Sequence, residues 1–376
     1  MSKKLLVVLS VLMVVAMALS ACAKATPVAT EAPVATEAPV ATDAPVATEA
    51  PAADTFLVCQ VSDTGGIDDK SFNATAWKGV TDAEEQFGVV GKFLESTDAS
   101  DYEKNINAFI DEGCDIIITV GWALADNTKA SALANPEQKF SIVDNNYGET
   151  IPNVLAQAYQ TDQAAFLVGY LAAGVSNTGT VGTFGGANYG TVAIFMDGFA
   201  RGVAYYNEKH EATVKVLGWD TESQTGTFTE DFVDLAKAKA VTEQMLDEGA
   251  DIIMPVGGSI GLGAAQAITE RTTADAPIYL IGVDSDWYNY ATDYQAIILT
   301  SVLKNMDVVT TGAIKSAMDG TFVGGTYVGT LENNGVGVAS FHDLDSVVPA
   351  ALKAELESIK ADLLSGAIVL NSAYAQ

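Results

Sequence analysis

The chain has 376 residues, with 19 Lys and Arg against 48 Asp and Glu, and its formal charge of −29 repels nucleic-acid backbones and anionic lipid surfaces. A hydrophobic content of 49% with 8% aromatics is enough for a large core, which excludes a disordered chain. Length alone suits about two domains.

The first segments are not globular. Lys3 and Lys4, an apolar stretch over 5–19 and small residues before Cys22 have the layout of an export signal. The stretch is short of the roughly 20 apolar residues that a spanning helix needs, so removal of residues 1–21 is expected. "LSAC" (19–22) has the form of a bacterial lipobox, which would leave Cys22 acylated as the mature N-terminus. Acyl chains would then hold an exported domain on the outer side of a membrane, each buried CH₂ contributing about 0.8 kcal/mol. Residues 22–53 form a tether. From Ala25 to Ala53 the unit "ATEAPV" recurs, with Pro27, Pro33, Pro39, Pro45 and Pro51 stiffening the chain and Glu31, Glu37, Asp43 and Glu49 keeping it solvated. A proline motif read by a partner is the rival reading.

From Asp54 onward, short β-branched runs alternate with helical patterns: "TFLVCQVS", "GKFLES", "DIIITVG", "FSIVDNN", "VLAQAY", then "TVGTFGG", "VKVLGWD", "DIIMPVG" and "IYLIGVDSD". This order implies parallel strands covered by helices on both faces. The pattern is also written twice. "DEGCDIIITVG" starts at Asp111 and "DEGADIIMPVG" at Asp247, while "SIVDNN" carries Asp144 and "IGVDSD" carries Asp284 at nearly the same spacing. Two matching pairs in one order imply two lobes of like topology. Beyond Cys22 the cysteines are Cys59 and Cys114, both beside apolar strands; two buried unpaired thiols are preferred, with a disulfide as the alternative.

Ligands of open parallel sheets lie at the carboxyl ends of strands. "SDTGGIDDKSFN" (62–73), "GWALAD" (121–126), "VDNN", "GGANYG" (185–190), "GGSIGLG" (257–263) and "VDSD" all sit there. In the first of these, Gly65 and Gly66 permit close approach of a ligand to the main chain. Among Asp68, Asp69 and Ser71 at least one is expected to cap the helix that begins "FNATAWKGV". Phe72, in that helix's first turn, and Phe195, in the first turns of "TVAIFMDGFARGV", offer rings from opposite lobes for a flat ligand, each contact worth about 0.5–1.5 kcal/mol beyond burial.

Enzyme chemistry finds no support. The two histidines, His210 and His342, lack convincing partners, and neither GxSxG nor GK[ST] occurs. "GGSIGLG" has the wrong glycine spacing for a dinucleotide fingerprint, so no nucleotide cofactor and no metal are expected.

The blocks "VSDTGGIDDKSFNATAWKGV", "FLVGYLAA", "FMDGFARGV", "GADIIMPVGG", "IGVDSDW" and "TSVLKNMD" resemble the basic membrane protein family of substrate-binding lipoproteins, whose purine nucleoside receptors serve ABC transporters. The likeness runs in order from Asp54 to the terminal "IKADLLSGAIVL". It implies an α/β type I periplasmic-binding-protein fold, two doubly wound lobes joined by a hinge, with a nucleoside in the cleft and an ABC permease as partner. Lobe 1 is expected over 54–157 plus about 297–325, and lobe 2 over 158–296 plus about 326–376. By motif, the resemblance assigns Asp63, Phe72 and Asn73 to the ligand from the opening turn, Phe195 to the other face of the base, and Asp144 or Asn146 to the base edge. It assigns Gly257 and Gly258 to the sugar side, with Asp284 and Lys304 on the ribose hydroxyls. Charged partners strengthen such hydrogen bonds; an Asp284–Lys304 salt bridge is the alternative role of that pair. The chain departs from the family pattern at "TVAIF", where relatives often carry a basic residue, and at Trp122 and Ala123. A sugar or another small polar metabolite, and a sensor in place of a transporter component, are the competing readings.

Overall fold

The computed structural model describes residues 55–374. The expected signal, the lipidated Cys22 and the tether lie outside the described residues.

The strands of the first lobe are β1 (Leu57–Val61), β2 (Val90–Leu94), β3 (Ile116–Val120), β4 (Lys139–Val143) and β5 (Val154–Tyr159). Those of the second are β6 (Thr180–Gly185), β7 (Lys215–Leu217), a small ribbon of β8 (Trp219–Asp220) and β9 (Thr225–Gly226), then β10 (Ile252–Val256), β11 (Tyr279–Asp284) and β12 (Ile298–Lys304). Last come β13 (Gly325–Gly329) and β14 (Val336–Val338). One sheet runs β13-β5-β4-β3-β1-β2 and the other β14-β12-β11-β10-β6-β7. Position for position these orders are the same, as the duplicated motifs imply. All neighbours pair in parallel except β12 with β14 in the second sheet and β8 with β9 in the ribbon.

Alternation along a strand explains why the runs are apolar throughout. Ile116, Ile118 and Val120 face α1 (Phe72–Phe87), whereas Ile117 faces α2 (Tyr102–Glu112) on the opposite side. Ile116, Ile117 and Ile118 are all fully buried, each such side chain contributing about 1.5–3 kcal/mol. β10 repeats this design, with Ile252, Met254 and Val256 on one face and Ile253 on the other, against α6 (Leu235–Asp247) and α7 (Ile260–Arg271). The remaining helices are α3 (Ala125–Ala134), α4 (Thr161–Val175), α5 (Gly190–His210), α8 (Trp287–Tyr290), α9 (Met306–Met318) and α10 (Ala350–Ser365). α4 and α5 cross very closely: a Cβ on Gly202 would stand 2.0 Å from the Phe166 carbonyl oxygen.

Two boundary expectations are corrected. The expectation places about 297–325 in the first lobe, but β12 pairs with β11 in the second sheet, its residues almost all buried. It places residues from about 326 in the second lobe, but β13 pairs with β5 in the first. Between them α9 packs on α1, where Thr311 Oγ1 donates to the Gly79 carbonyl at 2.9 Å. The chain therefore crosses between lobes three times, after β5, β12 and β13. These crossings are bonded to each other: Gln160 N donates to Gly329 O at 2.8 Å, and Asn305 N to Gly335 O at 2.9 Å. The physical reason is pairing. β12 completes the second sheet as β5 completes the first, and only β13 is left to extend the first edge.

The preferred reading of the cysteines is also corrected. Cys59 and Cys114 form a disulfide, with Cα atoms 6.1 Å apart. β1 and β3 are sheet neighbours, and Cys114 lies just before β3 with Asp115 between, so two buried cysteines are brought side by side.

Candidate binding cleft

The carboxyl ends of both sheets line one cleft with about 600 Å³ of space free of protein atoms, part of it open to solvent. Asp63, Phe72, Asn73, Asp144, Phe195, Gly257, Gly258, Asp284 and Lys304 all line it. Asn146 does not. It is exposed on the loop after β4, and its Oδ1 accepts from Gly148 N at 3.0 Å. Of the two alternatives Asp144 and Asn146, Asp144 is the one that lines the cleft.

The opening turn is built around two carboxylates. Asp63 Oδ1 accepts from Gly65 N at 2.9 Å and from Asn73 Nδ2 at 2.7 Å. A side chain on Gly65 would occupy that junction, since its Cβ would stand 2.9 Å from Asn73 Nδ2. Asp69 accepts from the N–H groups of Ser71, Asn73 and Ala74 at 3.0, 2.9 and 3.1 Å, and so caps α1. It also lines the cleft, a second role its sequence position did not disclose. Ser71 is freed from capping and crosses to the other lobe, where its Oγ donates to Asp284 Oδ2 at 2.9 Å and to Val283 O at 3.0 Å.

Asp144 directly follows β4 and Asp284 ends β11, and both have left-handed backbones, with φ of 67° and 69°. Preceding glycines match too: Gly121 and Gly257, after β3 and β10, have φ of 115° and 145°. Left-handed geometry in a non-glycine residue costs roughly 1–2 kcal/mol, and such strain concentrates at functional sites.

Lys304, at the end of β12, is the one cation lining the cleft among the described residues. It is buried, and its ammonium pairs with the Asp144 carboxylate of the other lobe rather than with Asp284. Its Nζ lies 4.8 Å from the centroid of the Phe72 ring, 5.3 Å from that of Tyr159 and 5.8 Å from that of Phe195. The expected rings from opposite lobes therefore flank a common charge.

Four carboxylates around one ammonium leave the cleft anionic, and desolvation answers that excess. Burial pushes Asp69 up to about 7, against the pull of its three backbone donors. Burial likewise pushes Asp284 up to about 6, opposed by Lys304 and reinforced by Asp144. Asp63 and Asp144 are also raised by burial, with Asn73 and Lys304 respectively opposing the shift. Protonated carboxyls can donate as well as accept, so this wall can hydrogen-bond hydroxyls and ring nitrogens of either polarity.

The cleft has further walls: Trp122 from the first lobe, and Tyr189, Thr191 and Phe232 from the second. Tyr189 lies inside "GGANYG", one of the strand-end motifs of the sequence. Phe232 lies in the loop before α6, away from any strand end, and no local signal marks it. Among the described residues no cluster of His, Cys, Asp or Glu is arranged to hold a metal ion, and no helix is long and apolar enough to cross a membrane.

Two facing α/β lobes, three crossings and a cleft between strand ends lined by acids and aromatic rings define a type I periplasmic solute-binding protein, and a solved solute-binding protein of an ABC transporter system from Aeropyrum pernix K1 has this architecture. It is 26% identical, with a TM-score of 0.75 over 84% of this chain and 92% of that one. Residues 56–371 match the Bmp family, described as ABC transporter substrate-binding protein, PnrA-like, and the chain belongs to that family. Basic membrane protein A1 of Borrelia garinii subsp. bavariensis is 30% identical over 81% of this chain and 86% of its own length. The ABC transporter nucleoside-binding protein BmpA of Lactococcus lactis subsp. cremoris is 27% identical over 83% and 88%. The chain is accordingly the extracytoplasmic substrate-binding component of an ABC transporter, with a ligand and a permease as partners; the family binds substrates rather than transforming them.

Proposed function

We propose that the ligand is a nucleoside, with a purine base, held with its base between Phe72 and Phe195 and its ribose on Asp284 and Lys304. One observation carries this reading: aromatic rings from opposite lobes line the same cleft and flank a buried ammonium. A planar heterocycle fits between rings, and charged groups beside them suit sugar hydroxyls. Asp63, Asn73 and Asp144 would meet the base edge, and Gly257 and Gly258 would offer main-chain N–H groups before α7. The printed name of the Lactococcus relative supports the same ligand class. Contacts to both lobes favour the closed form, which the permease can then recognise. Cys22 would carry the lipid that keeps the protein at the membrane.

Calorimetry of the purified, signal-less protein with adenosine, guanosine, inosine, cytidine and ribose tests the ligand. Tight binding of purine nucleosides with weak ribose binding is expected; ribose equal to inosine would overturn the reading. Mass spectrometry of the N-terminal peptide from the membrane fraction tests acylation, which a Cys22→Ser variant should abolish.

A further inference from the structure

An aromatic chain runs along the rim of the cleft and links the two lobes. Phe232 is its base, seated where two glycines leave room: a Cβ on Gly186 would stand 2.3 Å from its ring, and one on Gly257 2.8 Å. Tyr189 lies against Phe232, with centroids 6.0 Å apart. Trp122 of the first lobe lies against Tyr189 of the second, with centroids 5.0 Å apart and planes tilted by 40°. Trp122 nevertheless remains 51% exposed. An indole so poorly buried is not held by its own lobe's core, and the ring it touches belongs to the other lobe.

We infer, on the basis of the solute-binding reading above, that Trp122 is a positioning residue that latches against Tyr189 to hold the cleft shut and sets how long the ligand stays. The contact joins groups on separate lobes, so opening the cleft must break it. Its free energy is therefore added to the closed form alone and shifts the equilibrium that way. Ring pairs contribute on the scale that changes a dissociation rate about tenfold, the factor equivalent to about 1.4 kcal/mol. Affinity differences between variants of one site fall mostly in dissociation. Phe232, wedged on Gly186 and Gly257, keeps Tyr189 in place to receive the indole.

Stopped-flow binding of inosine and adenosine tests this with Trp122→Ala, Trp122→Phe and Tyr189→Ala. In Trp122→Ala the dissociation rate should rise about tenfold and the association rate change less than about twofold. Trp122→Phe should recover most of the loss, and Trp122→Ala combined with Tyr189→Ala should cost no more than either alone. An unchanged dissociation rate in Trp122→Ala, with binding intact, would overturn the latch while leaving the nucleoside reading in place. Failure of the unaltered protein to bind any nucleoside would sink that reading instead. The latch is then judged by a ligand-independent arm: Trp122→Cys/Tyr189→Cys should be bridged across the lobes by a bismaleimide long enough to replace the two rings, and no bridging would overturn it.

Discussion

The turns after β1 and β6 occupy the same position in their sheets, yet they are chemically opposite. After β1 come Asp63, Asp69 and Asn73, tied together by side-chain and backbone hydrogen bonds, with Phe72 on the helix that follows. After β6 come Tyr189, Thr191, Val192 and Phe195, with no acid among the residues that line the cleft. One duplicated scaffold thus supplies a hydrogen-bonding turn and an apolar turn at matching strand ends. The lesson is that topology places strand ends at the cleft, while the short turn beyond each strand decides what they do there. The strands before "VDNN" and "VDSD" show the converse, since Asp144 and Asp284 keep both the residue and its left-handed backbone. Their partners still differ: Asp144 takes Lys304 and Asp284 takes Ser71, each from the opposite lobe.

The largest expected effect breaks the pairing that joins the halves. Lys304→Met leaves the Asp144 carboxylate buried without its cation, a class of change that costs about 3–5 kcal/mol. Denaturant unfolding of Lys304→Met against the parent measures it, and a change below about 1 kcal/mol would mean that the pair is not formed. Lys304→Met/Asp144→Leu should recover part of the loss.

The disulfide sharpens the comparison next, because the second lobe carries Ala250 where the first carries Cys114. The bond closes a sequence separation of 55 residues, and its removal in Cys59→Ser/Cys114→Ser should cost about 2–4 kcal/mol. Hydrogen exchange should locate the loss in β1 to β3, leaving β6 and β10 protected. Uniform loss across both lobes would contradict a local cross-link.

Phe72 and Phe195 separate binding from stability. Phe72 is half-buried and Phe195 only 2% exposed. Phe72→Ala should therefore weaken nucleoside binding about tenfold with little change in melting temperature, whereas Phe195→Ala should lower both, the core loss being about 3–5 kcal/mol at most. Calorimetry and thermal melts read the two effects. Equal calorimetric affinity in Phe72→Ala and the parent would remove that ring from the ligand.

A further contrast concerns protons. Asp69 and Asp284 have values raised to about 7 and about 6, so the folded protein holds protons that the unfolded chain has released. Stability from this source is full below the ordinary carboxylate value of 3.8 and is lost as pH rises through about 6 and about 7. Ligand-free protein should melt at a higher temperature at pH 5 than at pH 8. Asp69→Asn should flatten the upper part of that slope, and an unaltered slope in Asp69→Asn would assign it to other groups.

Strands of both lobes are legible because a parallel strand buried on both faces is apolar along its whole length, as "DIIITVG" of the first lobe and "DIIMPVG" of the second are. β12 was not drawn from pattern, although "IILTSVLK" is equally buried, because nothing local states which sheet a strand joins. Phe72 and Phe195 were found through their place in the first turns of helices at strand ends. Asp69 is one of the three cap candidates in the sequence and is the one that caps, but capping uses the same backbone N–H groups whether or not a cleft lies beyond. Phe232 left no trace, since its seat is formed by Gly186 and Gly257, distant in the chain.

By itself the sequence determined two similar α/β lobes, an acidic surface and the strand-end turns that carry Asp63, Phe72, Phe195 and Asp284, because these follow from local periodicity and turn chemistry. Only the tertiary structure decided that Lys304 joins Asp144, that Cys59 joins Cys114, that the chain crosses back through β13, and that Trp122 meets Tyr189. Each of these is a contact between residues far apart in sequence, and such contacts are set by sheet order and lobe closure rather than by any neighbouring residue.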